Sequence, residues 1–339
     1  MAQPNALQVT HRTDRSLIMA ILQTMVKPVR PRLVKPKKVF PPGSPRLGKS
    51  DYKNIILKAS VSERQEEGIW IYDVVAKTSA HSTKGGVRKR IYYFAGGGWQ
   101  MPPSGQHWKL CAEIAKQVPG SVVSVVSYPL APKSAAPAAL PQLLQLYDTV
   151  LRKATDENES VTFAGDSSGG NIALSLVLTA LAKNESALCP ESILAVSPAV
   201  DLKTHDPIVQ TVNKFDPVLT LDFINERART WTGDGDPSDP GISPLYADVS
   251  LLAKRGIKVY GVTGGYDVLT PDAILFGRKC QEAGVQGEWL NWDKQMHCFP
   301  LAWIYGLPEA KEGKNWIMNV LNGQEGAAAL PGRAKTGEL

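Results

Sequence analysis

Residues 161–177 read VTFAGDSSGGNIALSLV. A β-branched and aromatic run at 161–164 meets a glycine-flanked turn at 165–169. An apolar segment of helical period then continues over 171–182. Strand, sharp turn and helix in so little chain demand that the two elements nearly touch. Gly165 and Gly169 permit this, because a Cβ at either place would clash. Ser167 stands at the centre of G-x-S-x-G, on a turn that leaves its hydroxyl exposed with a helix N-terminus behind it. The same letters also describe a glycine-rich βα turn with a buried serine, so the pattern needs support from the rest of the chain.

That support begins with periodicity. Strands are expected at 69–75, 88–94, 122–127, 161–164, 193–197, 257–262 and 287–292, and helices at 105–117, 137–154, 171–182, 271–283 and 308–321. Runs such as VVSVV at 122–126 are apolar on both faces, as in the middle of a parallel sheet. Alternating β and α predicts an α/β fold with a mostly parallel, doubly wound sheet. Ligands in such sheets bind at the carboxyl ends of the strands.

The segment at about 205–240 breaks the alternation with a helix at 221–231 and the acidic loop GDGDPSDP. It reads as a cap insertion over the site. Its Asp234, Asp236 and Asp239 lack the following glutamate of a calcium loop and read as turn formers. At the other end, residues 17–26 form an apolar ten-residue segment, too short to span a bilayer. No small-x-small cleavage site follows it. It reads as a cap helix, with an interfacial membrane helix as the alternative. A proline-rich connector follows, with eight Lys or Arg and no acid over 27–49, which exceeds the whole net charge of +6. The basicity is therefore local. It lacks interleaved aromatics, and no nucleic-acid partner is expected. The expected organisation is residues 1–50 as cap helix and connector, 51–325 as the catalytic domain and 326–339 as a tail. The four cysteines, Cys111, Cys189, Cys280 and Cys298, form no C-x-x-C pair. That argues against a structural zinc or a disulfide framework and fits a cytoplasmic location. No cofactor and no metal are expected.

Three further motifs fall at predicted strand ends. IYYF at 91–94 runs into Ala95, Gly96, Gly97, Gly98 and Trp99, whose backbone N–H groups suit an oxyanion. The strand at 257–262 leads to Asp267, and the strand at 287–292 leads to His297. Ser167, Asp267, His297 is the chain order of nucleophile, acid and base in an α/β-hydrolase. Gly96, Gly97 and Ser168 are the expected oxyanion donors. Trp99 and Phe299 are candidate substrate-binding residues, although each could equally be core. Asp166 reads as a structural hydrogen-bond partner and Cys298 as packing.

These blocks resemble the hormone-sensitive-lipase-like carboxylesterases of the α/β-hydrolase superfamily. The resemblance rests on YPLAP at 128–132, GDSSGGN at 165–171, SPAVDL at 197–202, SPLYAD at 243–248, DVLTPD at 267–272 and MHCF at 296–299. It implies an α/β-hydrolase fold with a helical cap and a serine esterase mechanism. The family's His-Gly-Gly-Gly motif has Ala95 in place of the histidine that braces the loop. AGGGW at 95–99 is similar to fungal members of secondary-metabolite pathways. The resemblance thus implies a serine carboxylesterase for a small to medium apolar ester, with a tailoring or release role. A non-hydrolytic cyclase or acyltransferase and a ligand-binding receptor are the alternatives on the same scaffold. Oligomeric state is not legible.

Overall fold

The computed structural model describes residues 6–30, 34–36, 38–77, 87–203, 207–324 and 335–337. The start of the insertion at 205–206, Pro31, Arg32 and Lys37 of the connector, and most of the 326–339 tail lie outside the described residues. The strands are β1 (Gln8–Arg12), β2 (Ala59–Glu66), β3 (Ile69–Ala76), β4 (Arg88–Phe94), β5 (Ser121–Ser127), β6 (Glu159–Asp166), β7 (Ser192–Val196), β8 (Lys258–Tyr266), β9 (Gly287–Met296) and β10 (Lys335–Gly337). The helices are α1 (Leu17–Val26), α2 (Gly105–Gln117), α3 (Ala136–Asp156), α4 (Ser168–Lys183), α5 (Pro207–Asn213), α6 (Leu221–Thr232), α7 (Ser250–Lys254), α8 (Thr270–Glu282) and α9 (Pro308–Leu321).

One sheet runs in the order β10-β1-β9-β8-β7-β6-β4-β5-β3-β2. From β5 to β1 every neighbouring pair is parallel, while β2, β3 and β10 pair antiparallel at the two ends. The result is a mostly parallel sheet between helical layers, as the alternation of strand and helix predicts. Two apolar clusters fill its faces. Phe163 belongs to the cluster that includes α3 and α4 residues such as Leu146 and Leu174, and its neighbour Ala164 to the one that includes α2 and α9 residues such as Trp108 and Trp316. Adjacent residues divide between the two faces because the side-chain period of a strand is two.

Three strands escaped the sequence reading. β2 is an edge whose burial alternates, and its exposed positions carry serine, glutamate and glutamine. β1 is five residues of mixed polarity (QVTHR), yet it lies parallel to β9 from Gln8 to Arg12 and so joins the same sheet. β10 pairs with β1 over three residues. Edge strands lack the doubly apolar run that marks central ones.

The turn between β6 and α4 is as tight as G-x-S-x-G implies. A Cβ on Gly169 would lie 1.9 Å from Phe94 O, and one on Gly165 would lie 2.4 Å from Gly169 O. Both obstacles are backbone and cannot swing aside. Gly169→Ala is expected to cost more than about 4 kcal/mol, enough to leave little folded protein. A thermal melt of the purified variant checks this, and a melting temperature within a few degrees of wild type refutes it.

Candidate active site

Three strand ends and one loop converge. Ser167 follows β6 with φ 53° and ψ −121°, a conformation that costs a non-glycine residue energy and presents its side chain outward. Asp267 follows β8 directly, and His297 follows β9 directly. His297 Nδ1 lies 2.8 Å from Asp267 Oδ2, and the other carboxylate oxygen accepts the Leu269 N–H at 3.0 Å. Asp267 is fully buried. Burial opposes charging the imidazole, but Asp267 and Cys298 together outweigh it and hold the His297 pKa well above the ordinary histidine value. His297 Nε2 is 3.4 Å from Cys298 Sγ. Burial pushes the Cys298 thiol up to about 12, so it stands there uncharged. No hydrogen bond joins His297 to Ser167 Oγ in this state. Such contacts are often loose before substrate binds.

A second carboxylate, missed in the sequence, backs the first. Asp216, in the cap insertion between α5 and α6, accepts the N–H groups of Val218 and Leu219 on one oxygen and of Val268 on the other. Burial and the neighbouring Asp267 push its carboxyl well above the ordinary carboxylate range. Asp216 thus ties the α5–α6 segment to the loop that carries Asp267.

The glycine loop after β4 is held from several sides, although Ala95 has no side chain to brace it. Ala95 O accepts the Tyr128 hydroxyl at 2.8 Å. Gly96 N donates to Asp166 Oδ1 at 3.0 Å. The same carboxylate accepts the Tyr93 hydroxyl at 2.6 Å and meets His107 Nε2 at 3.1 Å. Burial works against this anion, but His107, Tyr93 and Gly96 together hold its carboxyl below the ordinary value. Asp166 is therefore the structural partner expected, and His107 is a brace that the sequence reading passed over. Its signal was the S-x-x-H spacing before α2, where His107 Nδ1 accepts the Ser104 N–H at 2.9 Å.

Two expectations need correction. Of the expected oxyanion donors, the Gly96 N–H is already spent on Asp166. Phe299 is a core residue, fully buried edge-on to Trp292 and against Gly313. Trp99 is also buried, at 4% exposure, and stacks on Trp231 of α6 with ring centres 5.7 Å apart. Its neighbour Gln100 hydrogen-bonds Arg227 of the same helix. Helix α6 thereby grips the glycine loop. The acidic loop is a turn, with Asp236 and Asp239 accepting the Ser238 and Gly241 N–H groups. Among the described residues no cluster fit for a metal occurs.

Asp166→Ala would strand the Gly96 N–H, the Tyr93 hydroxyl and the His107 ring in a buried site. The expected loss is about 3–5 kcal/mol of stability, and about 10²-fold in kcat through the displaced loop. Denaturant unfolding and ester turnover measured side by side check both.

A family model described as the alpha/beta hydrolase fold matches residues 91–301. The chain belongs to the α/β-hydrolase fold family. Relatives include an esterase of Acinetobacter venetianus, 27% identical over 225 residues that cover 66% of this chain and 71% of the relative. Esterase LipU of Mycobacterium tuberculosis is 30% identical over 233 residues, covering 66% and 74%. Among solved structures, a hormone-sensitive lipase from a metagenome library superposes with a TM-score of 0.70 at 22% identity, over 92% of this chain and 99% of that one. The last likeness shows the shared fold.

Proposed function

We propose that this chain is a serine carboxylesterase of the hormone-sensitive-lipase-like group, acting on a small to medium apolar ester through an acyl-enzyme. The observation that carries the reading is the strained Ser167 at the β6–α4 turn, with an Asp267–His297 pair built on the ends of β8 and β9 of the same sheet. As a carboxylic ester hydrolase the chain has relatives named esterase, acetyl-hydrolase and lipase.

In the proposed mechanism the His297 imidazole turns from Cys298 to Ser167 and takes its proton as Oγ attacks the ester carbonyl. Asp267 orients the ring and stabilises the imidazolium. The N–H groups of Gly97, Gly98 and Ser168 receive the oxyanion. The imidazolium then protonates the leaving alcohol, and a water activated by the same ring releases the acid. The AGGGW loop supports a tailoring or release step in secondary-metabolite biosynthesis as its setting. Four free thiols support a reducing, cytoplasmic location.

Hydrolysis of p-nitrophenyl esters from acetate to laurate tests this, together with mass analysis after fluorophosphonate treatment. Turnover with the label on Ser167 is expected, and the best chain length sizes the acyl site. Neither turnover nor label would overturn the reading.

A further inference from the structure

The N-terminal helix α1 is turned the wrong way round for a helix that belongs only to a folded core. Its buried residues are Met19 and Gln23. Leu17, Ile18, Ile21 and Met25 are 77%, 53%, 50% and 70% exposed. At 100° per residue these four span an arc of about 100°, opposite the buried one. Val29, in the 3₁₀ turn that follows, is also exposed. A glutamine inside and four large apolar side chains outside make an exposed apolar patch of the kind that marks interaction surfaces.

The helix is fixed, so the face is presented rather than adrift. Ser16 caps it by accepting the Met19 N–H, and the Ser16 hydroxyl donates to Glu309 of α9. Gln23 bridges Arg15 and the Lys294 carbonyl at the end of β9.

The surroundings identify the partner. Arg15 precedes α1, and Lys27 and Arg30 follow it. Together with Gln23, Thr24, Pro28, Phe215 and Tyr266 they line an open cavity of about 510 Å³. Among the described residues none of the three cations has a carboxylate partner. Arg15 lies over the Tyr266 ring and bonds Gln23. Lys27 bonds the Lys214 carbonyl, and Arg30 bonds those of Asn213 and Asp216. The connector beyond adds six more Lys or Arg before residue 50 and no acid. An apolar helix face flanked by unneutralised cations fits a surface that is apolar below and anionic above. A second copy of this chain would bring like charges together instead.

We propose that α1 is an interfacial helix that docks this protein on anionic lipid, with Leu17, Ile18, Ile21 and Met25 in the acyl boundary and Arg15, Lys27 and Arg30 at the headgroups. Short apolar helices with flanking cations bind in this way, and the electrostatic share is screened by salt.

Co-sedimentation with vesicles tests it without reference to enzyme activity. The full chain is expected to pellet with phosphatidylcholine vesicles carrying phosphatidylserine. It should bind pure phosphatidylcholine far less, and high salt should weaken the binding. The double variant Ile21→Glu, Met25→Glu is expected to lose about tenfold or more in vesicle affinity with an unchanged melting temperature. If that variant unfolds, Leu17→Ser with Ile18→Ser replaces it. Wild type that stays in the supernatant with anionic vesicles overturns the proposal, and so does a folded variant that binds as wild type does. A dimer in sedimentation equilibrium that the variant abolishes would assign the face to a second copy and overturn it as well.

Discussion

Ser167→Ala is expected to lower kcat for p-nitrophenyl butyrate by about 10⁴-fold or more, with KM little changed. The hydroxyl supplies the only bond that forms in the first step, and nothing beside it replaces it. Cys298 is the nearest other candidate nucleophile, since its sulfur meets His297 Nε2. Its thiol is held up to about 12, so scarcely any thiolate exists at neutral pH. What remains in the variant is the oxyanion site and substrate binding, which still exceed water. The mutation should cost little stability, because Ser167 Oγ makes no hydrogen bond among the described residues. Relief of the strain at φ 53° would need glycine, not alanine. Steady-state rates and fluorophosphonate labelling decide the matter. A residual rate within tenfold of wild type would remove Ser167 as nucleophile.

Asp267→Asn is expected to reduce kcat by about 10⁴-fold and to change the pH profile as well. His297 acts as a base only when neutral, and Asp267 and Cys298 together raise its pKa well above about 6.5. Wild-type kcat/KM should therefore climb with pH along a limb whose midpoint lies above that value, placing the optimum on the alkaline side. Removing the Asp267 charge leaves burial as the dominant influence, and burial disfavours the imidazolium. The midpoint should then fall. The linked stability has a definite sign. A raised histidine pKa stabilises the fold fully below the unfolded value and is lost as pH rises through the folded one. Melting temperatures of wild type should thus decline across that window, and those of Asp267→Asn should be flatter. A limb at or below the ordinary histidine value in wild type would contradict the ion pair.

The central strands were legible because they are apolar on both faces, and the long helices because they carry a helical period. Predicted bounds at 88–94, 105–117 and 308–321 coincide with β4, α2 and α9. Ser167, Asp267 and His297 were legible because each follows a strand in a fixed order. β1 and β2 were not, because each lies at or next to an edge of the sheet and its own residues are of mixed polarity. Asp216 and His107 were hidden for a related reason. Each acts on a group far away in the chain, Val268 and Asp166, and no local pattern records such a contact. Gly96 shows the same limit at the scale of one N–H. Its position in the loop suggests an oxyanion donor, and only the approach of Asp166 reveals that it is taken.

By itself, then, the sequence determined the alternation of strand and helix, the tight turn at Ser167, and the order of the three candidate catalytic residues. Each follows from local sterics and periodicity. The tertiary structure decided that the Gly96 N–H is taken by Asp166, which aromatics are core, and which face of α1 looks outward. These depend on what a residue meets across the sheet or from the cap, and burial is a property of the assembled fold.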